Sequence, residues 1–277
     1  MNNTSILGRI ALIVVAAIVL VWSGLPILWL LLTSFKSGPD IRSDEPVFLF
    51  TPTLTNYANL FSGGNNVGTY LSNSLIVTGT STVIAVALGA AAGYGLTHWR
   101  SQRKPGLSMW IISTRMAPIP AVILPLFLMF RTAGLVNTLP GLILAHLTFN
   151  LPFAIWLMTA FFQKVPHSIE EAAFMDGASK FRTFWSISLP TVIPGVVTTA
   201  VLCAVFSWND YAFSSALGGP GSQTLPMTAG ALVTQTGIDW GLLSALAVIV
   251  ATPMLIAGLS VRRYLVTGLS LGAVTGE

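Results

Sequence analysis

Six long apolar runs, each able to cross a bilayer as a helix, constrain this chain more than any other feature. They lie at about 10–33, 71–97, 107–130, 139–162, 190–211 and 241–262. Roughly twenty such residues span the hydrocarbon core as a helix. The runs are apolar on every side, whereas a membrane β-barrel needs strands of about ten residues that alternate polar and apolar. Charged residues are 8% of the chain, hydrophobic residues 53%, and mean hydropathy is +0.77. A soluble domain carries about 25% charged residues, so a water-exposed surface of ordinary kind is excluded. The expected fold class is an all-α polytopic membrane protein with six transmembrane helices. Its one cysteine, Cys203, lies within an apolar run, so no disulfide or cysteine metal cluster is expected.

The first run begins after Arg9 and continues to Leu32. It exceeds the roughly 7–15 residues of a signal-peptide core, so it is expected to be a retained helix. Basic residues set the orientation, because cytoplasmic loops are enriched in Lys and Arg. With the N-terminus inside, the inner segments hold nine: Arg9, Arg100, Arg103, Lys104, Lys164, Lys180, Arg182, Arg262 and Arg263. The outer segments hold three, Lys36, Arg42 and Arg131, while Arg115 lies within a span. Both termini are therefore expected in the cytoplasm, with external loops at 34–70, 131–138 and 212–240. The net charge of +4 is distributed over membrane flanks and does not form a nucleic-acid surface.

Several spans contain proline: Pro118, Pro120 and Pro125 in the third, Pro152 in the fourth, Pro194 in the fifth and Pro253 in the sixth. Proline removes a backbone donor and bends a helix, and neighbours or cavity water must then satisfy the freed carbonyls. Such breaks serve either packing or a cavity at membrane depth. The small residues of ALGAAAGYG (87–95) suit close helix contact.

Between the fourth and fifth spans lies a polar, charge-mixed segment, EEAAFMDGASKFRTFWSISLP, from Glu170 to Pro190. Pro166 suits the start of a short helix that Ser168 is placed to cap, carrying Ile169 to Phe174. Glu170 and Glu171 then fall near the positive end of the helix dipole. Ala172, Ala173 and Ala178 keep one face narrow, and Gly177 admits a positive backbone angle or a close neighbour. A second helix, about Ser179 to Ile187, presents Phe181, Phe184 and Trp185 before Pro190 opens the fifth span. Such a hairpin either lies on the membrane surface or fits a partner's cleft.

The spacing Glu171-Ala172-Ala173, three residues, Gly177, nine residues, Ile187, one residue, Leu189-Pro190 resembles the EAA loop of permease subunits in bacterial ATP-binding-cassette importers. LTNYANLF (54–61), SWND (207–210), TLPM (224–227) and GLSLGAVTGE (268–277) resemble segments of the carbohydrate-importer permeases of the maltose-importer type, in the same order. The resemblance covers nearly the whole chain. It implies the type I importer (MetI-like) fold: one extra helix and external loop (1–70), a five-helix core (71–262) and a cytoplasmic tail (263–277). It also implies a bacterial inner-membrane location and a heterodimer with a second permease. Two ATPase subunits that bind ATP and Mg, and an extracytoplasmic solute-binding protein, would complete the assembly. Glu170, Glu171, Ala172, Ala173, Asp176, Gly177, Ala178, Ile187, Leu189 and Pro190 are then the candidates for coupling to the ATPase, and the Gly-rich tail is expected between the ATPase subunits.

A solute path for a sugar needs hydrogen-bonding groups beside flat apolar faces. Candidates at or near membrane depth are Asn73, Arg115, His146, Asn150, Asn209 and Asp210. Intramembrane ionisable groups are functional candidates by default. Arg115 is about 12 Å of helical rise from the cytoplasmic end, close enough to snorkel, which favours a structural or gating role. His146 and Asn150, four apart on one helical face, either line a cavity or bond neighbouring helices. Asp210 is expected to order the outer mouth or to meet the binding protein. RMAPIPAVILPLF (115–127) is most similar to permeases for sugar alcohols and monosaccharides. An importer of another small polar solute, such as a glycerophosphodiester or a peptide, is the nearest alternative. A secondary transporter would carry inverted repeats around an ion site, and no clear repeat is seen. A membrane enzyme would cluster catalytic groups, but His98, His146 and His167 fall in separate segments, without HExxH. A Gly-x4-Gly-Lys-Ser/Thr phosphate loop is missing too, so the chain is not expected to bind ATP, a cofactor or a metal itself.

Overall fold

The computed structural model describes residues 6–62, 67–99, 101–234 and 237–273. In chain order the helices are α1 (Ile6–Ser34), α2 (Gly38–Ile41), α3 (Thr55–Ser62), α4 (Val67–His98), α5 (Lys104–Ser113), α6 (Ile119–Thr132) and α7 (Leu139–Phe162). There follow α8 (His167–Met175), α9 (Lys180–Thr183), α10 (Leu189–Thr191), α11 (Ile193–Trp208), α12 (Ala212–Leu217), α13 (Leu225–Ala231) and α14 (Trp240–Ala273). A two-residue antiparallel ladder, β1 (Val233–Thr234) with β2 (Gly237–Ile238), is the one departure from helix pairing among the described residues.

Four helices are individually long and apolar enough to cross a membrane: α1, α4, α7 and α14. Two bent helix pairs pass the same test together, which brings the total among the described residues to as many as six. The third is not the single helix expected over 107–130. A 3₁₀ turn (Thr114–Met116) ends α5, and the chain meets α6 at 88°. The cause is local. Ala117 is extended (φ −60°, ψ 134°), as is expected of a residue followed by proline, and Pro118 and Pro120 restart the helix. Pro125, Pro152 and Pro253 sit inside helices and leave them unbroken.

The fifth span is likewise shorter than 190–211. A π-helical turn (Phe184–Ser188) and α10 lead to a 76° bend, and α11 begins at Ile193. Its 16 residues rise about 24 Å, less than the roughly 30 Å of a hydrocarbon core. The last helix continues beyond 262 to Ala273; the final residues of the GLSLGAVTGE segment, 274–277, lie outside the described residues.

The chain forms two compact units. One comprises 1–67 and 229–252. In it the side chain of Asn56 donates to the carbonyls of Ser34 and Lys36, both at 3.0 Å, and Tyr57 donates to Ser34 Oγ at 2.8 Å. Asn56 thus satisfies carbonyls at and just beyond the end of α1 that lack intrahelical partners, and Tyr57 holds the Ser34 hydroxyl. Lys36 is buried with its ammonium 4.1 Å from the centre of the Trp29 ring, a cation–π contact that offsets its lost hydration.

The other unit comprises 68–228 and 253–277. Its core is helix-on-helix packing with small residues at the closest approaches. A Cβ on Gly89 would come within 2.7 Å of Ala154 Cβ, and one on Gly93 within 2.8 Å of the Thr159 amide. The expected close-contact role of 87–95 is therefore met between α4 and α7. On α7's other flank, Gly195 of α11 lies against the Phe161 ring. Asn150 pins the same pair by donating to Cys203 O (3.2 Å) and Ser207 Oγ (2.8 Å), and Ser207 Oγ in turn meets Ser81 Oγ of α4 at 3.0 Å.

Candidate functional site

Residues 166–192 build a helical hairpin. Its first helix begins two residues earlier than the sequence suggests, because Pro166 takes the cap position and Ser168 lies inside α8. The end of α8 is a Schellman turn: the Gly177 amide donates to Phe174 O (3.0 Å) and the Ala178 amide to Ala173 O (2.9 Å). Gly177 has φ +81°, the left-handed conformation that glycine adopts without a Cβ penalty. Ser179 then caps α9 by accepting from the Arg182 amide at 3.3 Å.

The two glutamates part company here. Glu170 is only 3% exposed, whereas Glu171 faces outward. One Glu170 oxygen accepts from the Ser188 hydroxyl at 2.5 Å, and the other lies 2.5 Å from His98 Nε2. The carboxylate therefore ties α8 to the π turn and to the last residue of α4. Ala173 and Ser188 are buried beside it. Ala172, Asp176, Gly177 and Pro190 are exposed, while Ala178, Ile187 and Leu189 are half-buried. Met175 is 88%, Phe181 73% and Trp185 54% exposed, so the tip offers large apolar side chains. Phe184, expected with them, turns inward instead, onto Phe162 and Tyr94. Successive helical residues diverge by about 100°, so the aromatic pair splits between outer and inner faces.

A separate cavity of about 420 Å³ opens at the break in the third span. It is lined by Arg115, Asp210, the two threonines Thr114 and Thr148, and the rings of Phe149, Phe206 and Phe213. Arg115 sits in the 3₁₀ turn and stacks on Phe206 (4.0 Å to the ring centre) and Phe153 (4.5 Å). Asp210 accepts from the Ser214 amide (2.9 Å), the Phe213 amide (3.3 Å) and Ser214 Oγ (3.1 Å), which caps α12. Its Oδ2 is also 3.4 Å from Nε2 of the buried His146.

Of the six solute-path candidates, Arg115 and Asp210 line this cavity and His146 backs it through Asp210. Asn150 is fully buried in the α7–α11 contact. Asn73 is committed to Gln223 O at 2.9 Å, and Asn209 is exposed with its amide returned to Val205 O at 2.8 Å. SWND proves a structural element: Ser207 bonds helices, Trp208 is buried and Asp210 caps. Phe149, Phe206 and Phe213 were missed, because a phenylalanine in an apolar run carries no signal of which neighbour it meets. His98 was missed for the opposite reason. It lies 72 residues from Glu170, a distance that only folding closes, and it also brings His167 within 6.3 Å ring to ring.

Comparison with known proteins agrees with this architecture. Residues 83–269 match the family model described as "Binding-protein-dependent transport system inner membrane component". A probable ABC transporter permease protein, y4oR of Sinorhizobium fredii, is 36% identical over 90% of this chain and 89% of its own. The trehalose transport system permease protein SugB of Mycobacterium tuberculosis is 35% identical over 91% of this chain and 92% of its own. Among solved structures, a bacterial ABC transporter involved in import of the acidic polysaccharide alginate superposes with TM-score 0.76 at 24% identity. That match covers 95% of this chain and 99% of the other.

Proposed function

The chain belongs to the family of binding-protein-dependent transport system inner membrane components, and on that premise we propose that it is the permease subunit of an ATP-driven importer for a sugar, sugar alcohol or sugar derivative. It carries the MetI-like fold of six spans in the inner membrane, and its relatives include permeases for trehalose and diacetylchitobiose. A second permease completes the path, two ATPase subunits supply ATP hydrolysis with Mg, and an extracytoplasmic binding protein delivers the solute. Both termini and the 166–192 hairpin face the cytoplasm.

One observation carries the coupling assignment: residues 166–192 leave Glu171, Met175, Asp176, Phe181 and Trp185 exposed, on a hairpin whose base is anchored inward by Glu170. A charged and aromatic tip on a fixed base suits insertion into a cleft of another polypeptide. Transmission requires that this contact differ between the outward- and inward-open states, since a contact equal in both shifts nothing. The 420 Å³ cavity supports a carbohydrate cargo, because aromatic faces flank hydroxyl and charged groups.

The test is uptake by the assembled transporter in proteoliposomes. Glu171→Lys reverses an exposed charge and Gly177→Val strains the Schellman turn; each should remove most or all solute uptake and solute-stimulated ATP hydrolysis with membrane insertion unchanged. Normal uptake by well-inserted Glu171→Lys would overturn the docking role.

A further inference from the structure

The exposed tip of the hairpin is explained by docking, but a polar cluster at its base is not. His98 ends α4, while His167 and Glu170 stand three apart in the first turn of α8 and so share a face. Their ligand atoms all lie within 4.8 Å of one another. Two imidazoles and one carboxylate form a donor set that suits zinc and related divalent transition metals, with a fourth position left for water.

The groups behind this cluster match what metal sites use to aim their ligands. His98 Nδ1 is 2.9 Å from the Tyr94 carbonyl, so that nitrogen carries the hydrogen and Nε2 faces the cluster. The Glu170 oxygen that does not face His98 is held by Ser188. A backbone carbonyl on the outer imidazole nitrogen fixes the ring and raises its basicity, and a hydroxyl on the outer carboxylate oxygen fixes the carboxylate's orientation. The cluster is also accessible: Glu170 is buried, His98 is half-buried and His167 is exposed, which leaves an entry path from solvent.

We propose that His98, His167 and Glu170 form a binding site for a zinc-class divalent cation that locks the hairpin to the end of α4. In the metal-free state the carboxylate and the His98 imidazole face each other directly. Metal entry replaces the hydrogen between them, which leaves to solvent. Once bound, the cation bridges α4 and α8 and opposes any swing of the hairpin against the span that carries it. The metal site stands on its own geometry; its effect on transport rests on the coupling role proposed above.

The experiment uses the complete transporter in nanodiscs, stripped of metal and titrated with Co²⁺ as the spectroscopic probe. The wild type should show the visible absorption of a low-coordinate cobalt site, displaced by Zn²⁺. His167→Ala and Glu170→Gln should each weaken binding at least about tenfold, the scale on which even supporting contacts affect metal affinity. Glu171→Lys, which tests docking, should leave the cobalt band intact, so the two ideas fail separately. A cobalt band that is missing in the wild type, or unchanged in His167→Ala, overturns the site. Zn²⁺ should slow wild-type uptake and spare His167→Ala, and equal inhibition of both overturns the lock.

Discussion

Glu170 and Glu171 are neighbours in sequence and opposites in environment. A helix turns each residue about 100° from the last, so one carboxylate points into the fold and the other toward solvent. Glu170 satisfies the Ser188 hydroxyl, which is fully buried. Leaving such a group unsatisfied costs about 1–3 kcal/mol. Glu170→Ala is thus expected to lower the thermal midpoint of the purified transporter, whereas Glu171→Ala leaves it unchanged; scanning calorimetry separates them. Gly177 poses a backbone question. A Cβ there would meet nothing within 4 Å, so the restriction is its φ of +81°. Asparagine tolerates that region, while a β-branched residue costs roughly 1–2 kcal/mol or more. Gly177→Asn should keep uptake and Gly177→Val should lose most of it. Equal loss in both would place a partner surface against this residue instead.

Helices in this protein meet through small residues and break at identifiable ones. Without water to drive them together, membrane helices associate by close packing. Gly89 and Gly93 provide that closeness, since a Cβ on either would press on the α7 backbone. Forcing extra atoms into such a contact costs about 1–3 kcal/mol. Gly89→Val should therefore destabilise the transporter, read as faster loss of the monodisperse peak on heating. Gly79, on the same helix with open space beside it, is the control, and Gly79→Ala should be neutral. The broken third span shows the other side of helix chemistry. Its 88° bend puts Arg115 beside two phenylalanine rings and opens the cavity, which a straight helix over 107–130 would not do. Prolines were plain in the sequence, but which of them would break a helix was not. Pro118 does so with Ala117 extended before it, while Pro125 and Pro152 lie inside helices that continue through them.

At the scale of the whole molecule, the proposed orientation follows from nine inner against three outer basic residues. It predicts opposite labelling at two exposed positions. In a Cys203→Ser background, Met175→Cys should react with an impermeant maleimide only in inside-out vesicles, and Leu49→Cys (96% exposed) only in right-side-out cells. Labelling of both from one side would reverse or discard the topology.

The sequence by itself determined the class, because 53% hydrophobic and 8% charged residues leave a bundle of membrane helices as the solution that satisfies every backbone group in lipid. It also located the hairpin, whose Ala, Gly and Pro spacing is a local property. Tertiary structure alone decided which side chains meet. The His98–Glu170 pair, the cavity between Arg115 and Asp210, and the Asn150–Ser207–Ser81 chain each join residues from different helices. Within a uniformly apolar run no face is marked as inner or outer. Only the packing of one helix on another chooses, and that choice rests on contacts far apart in sequence.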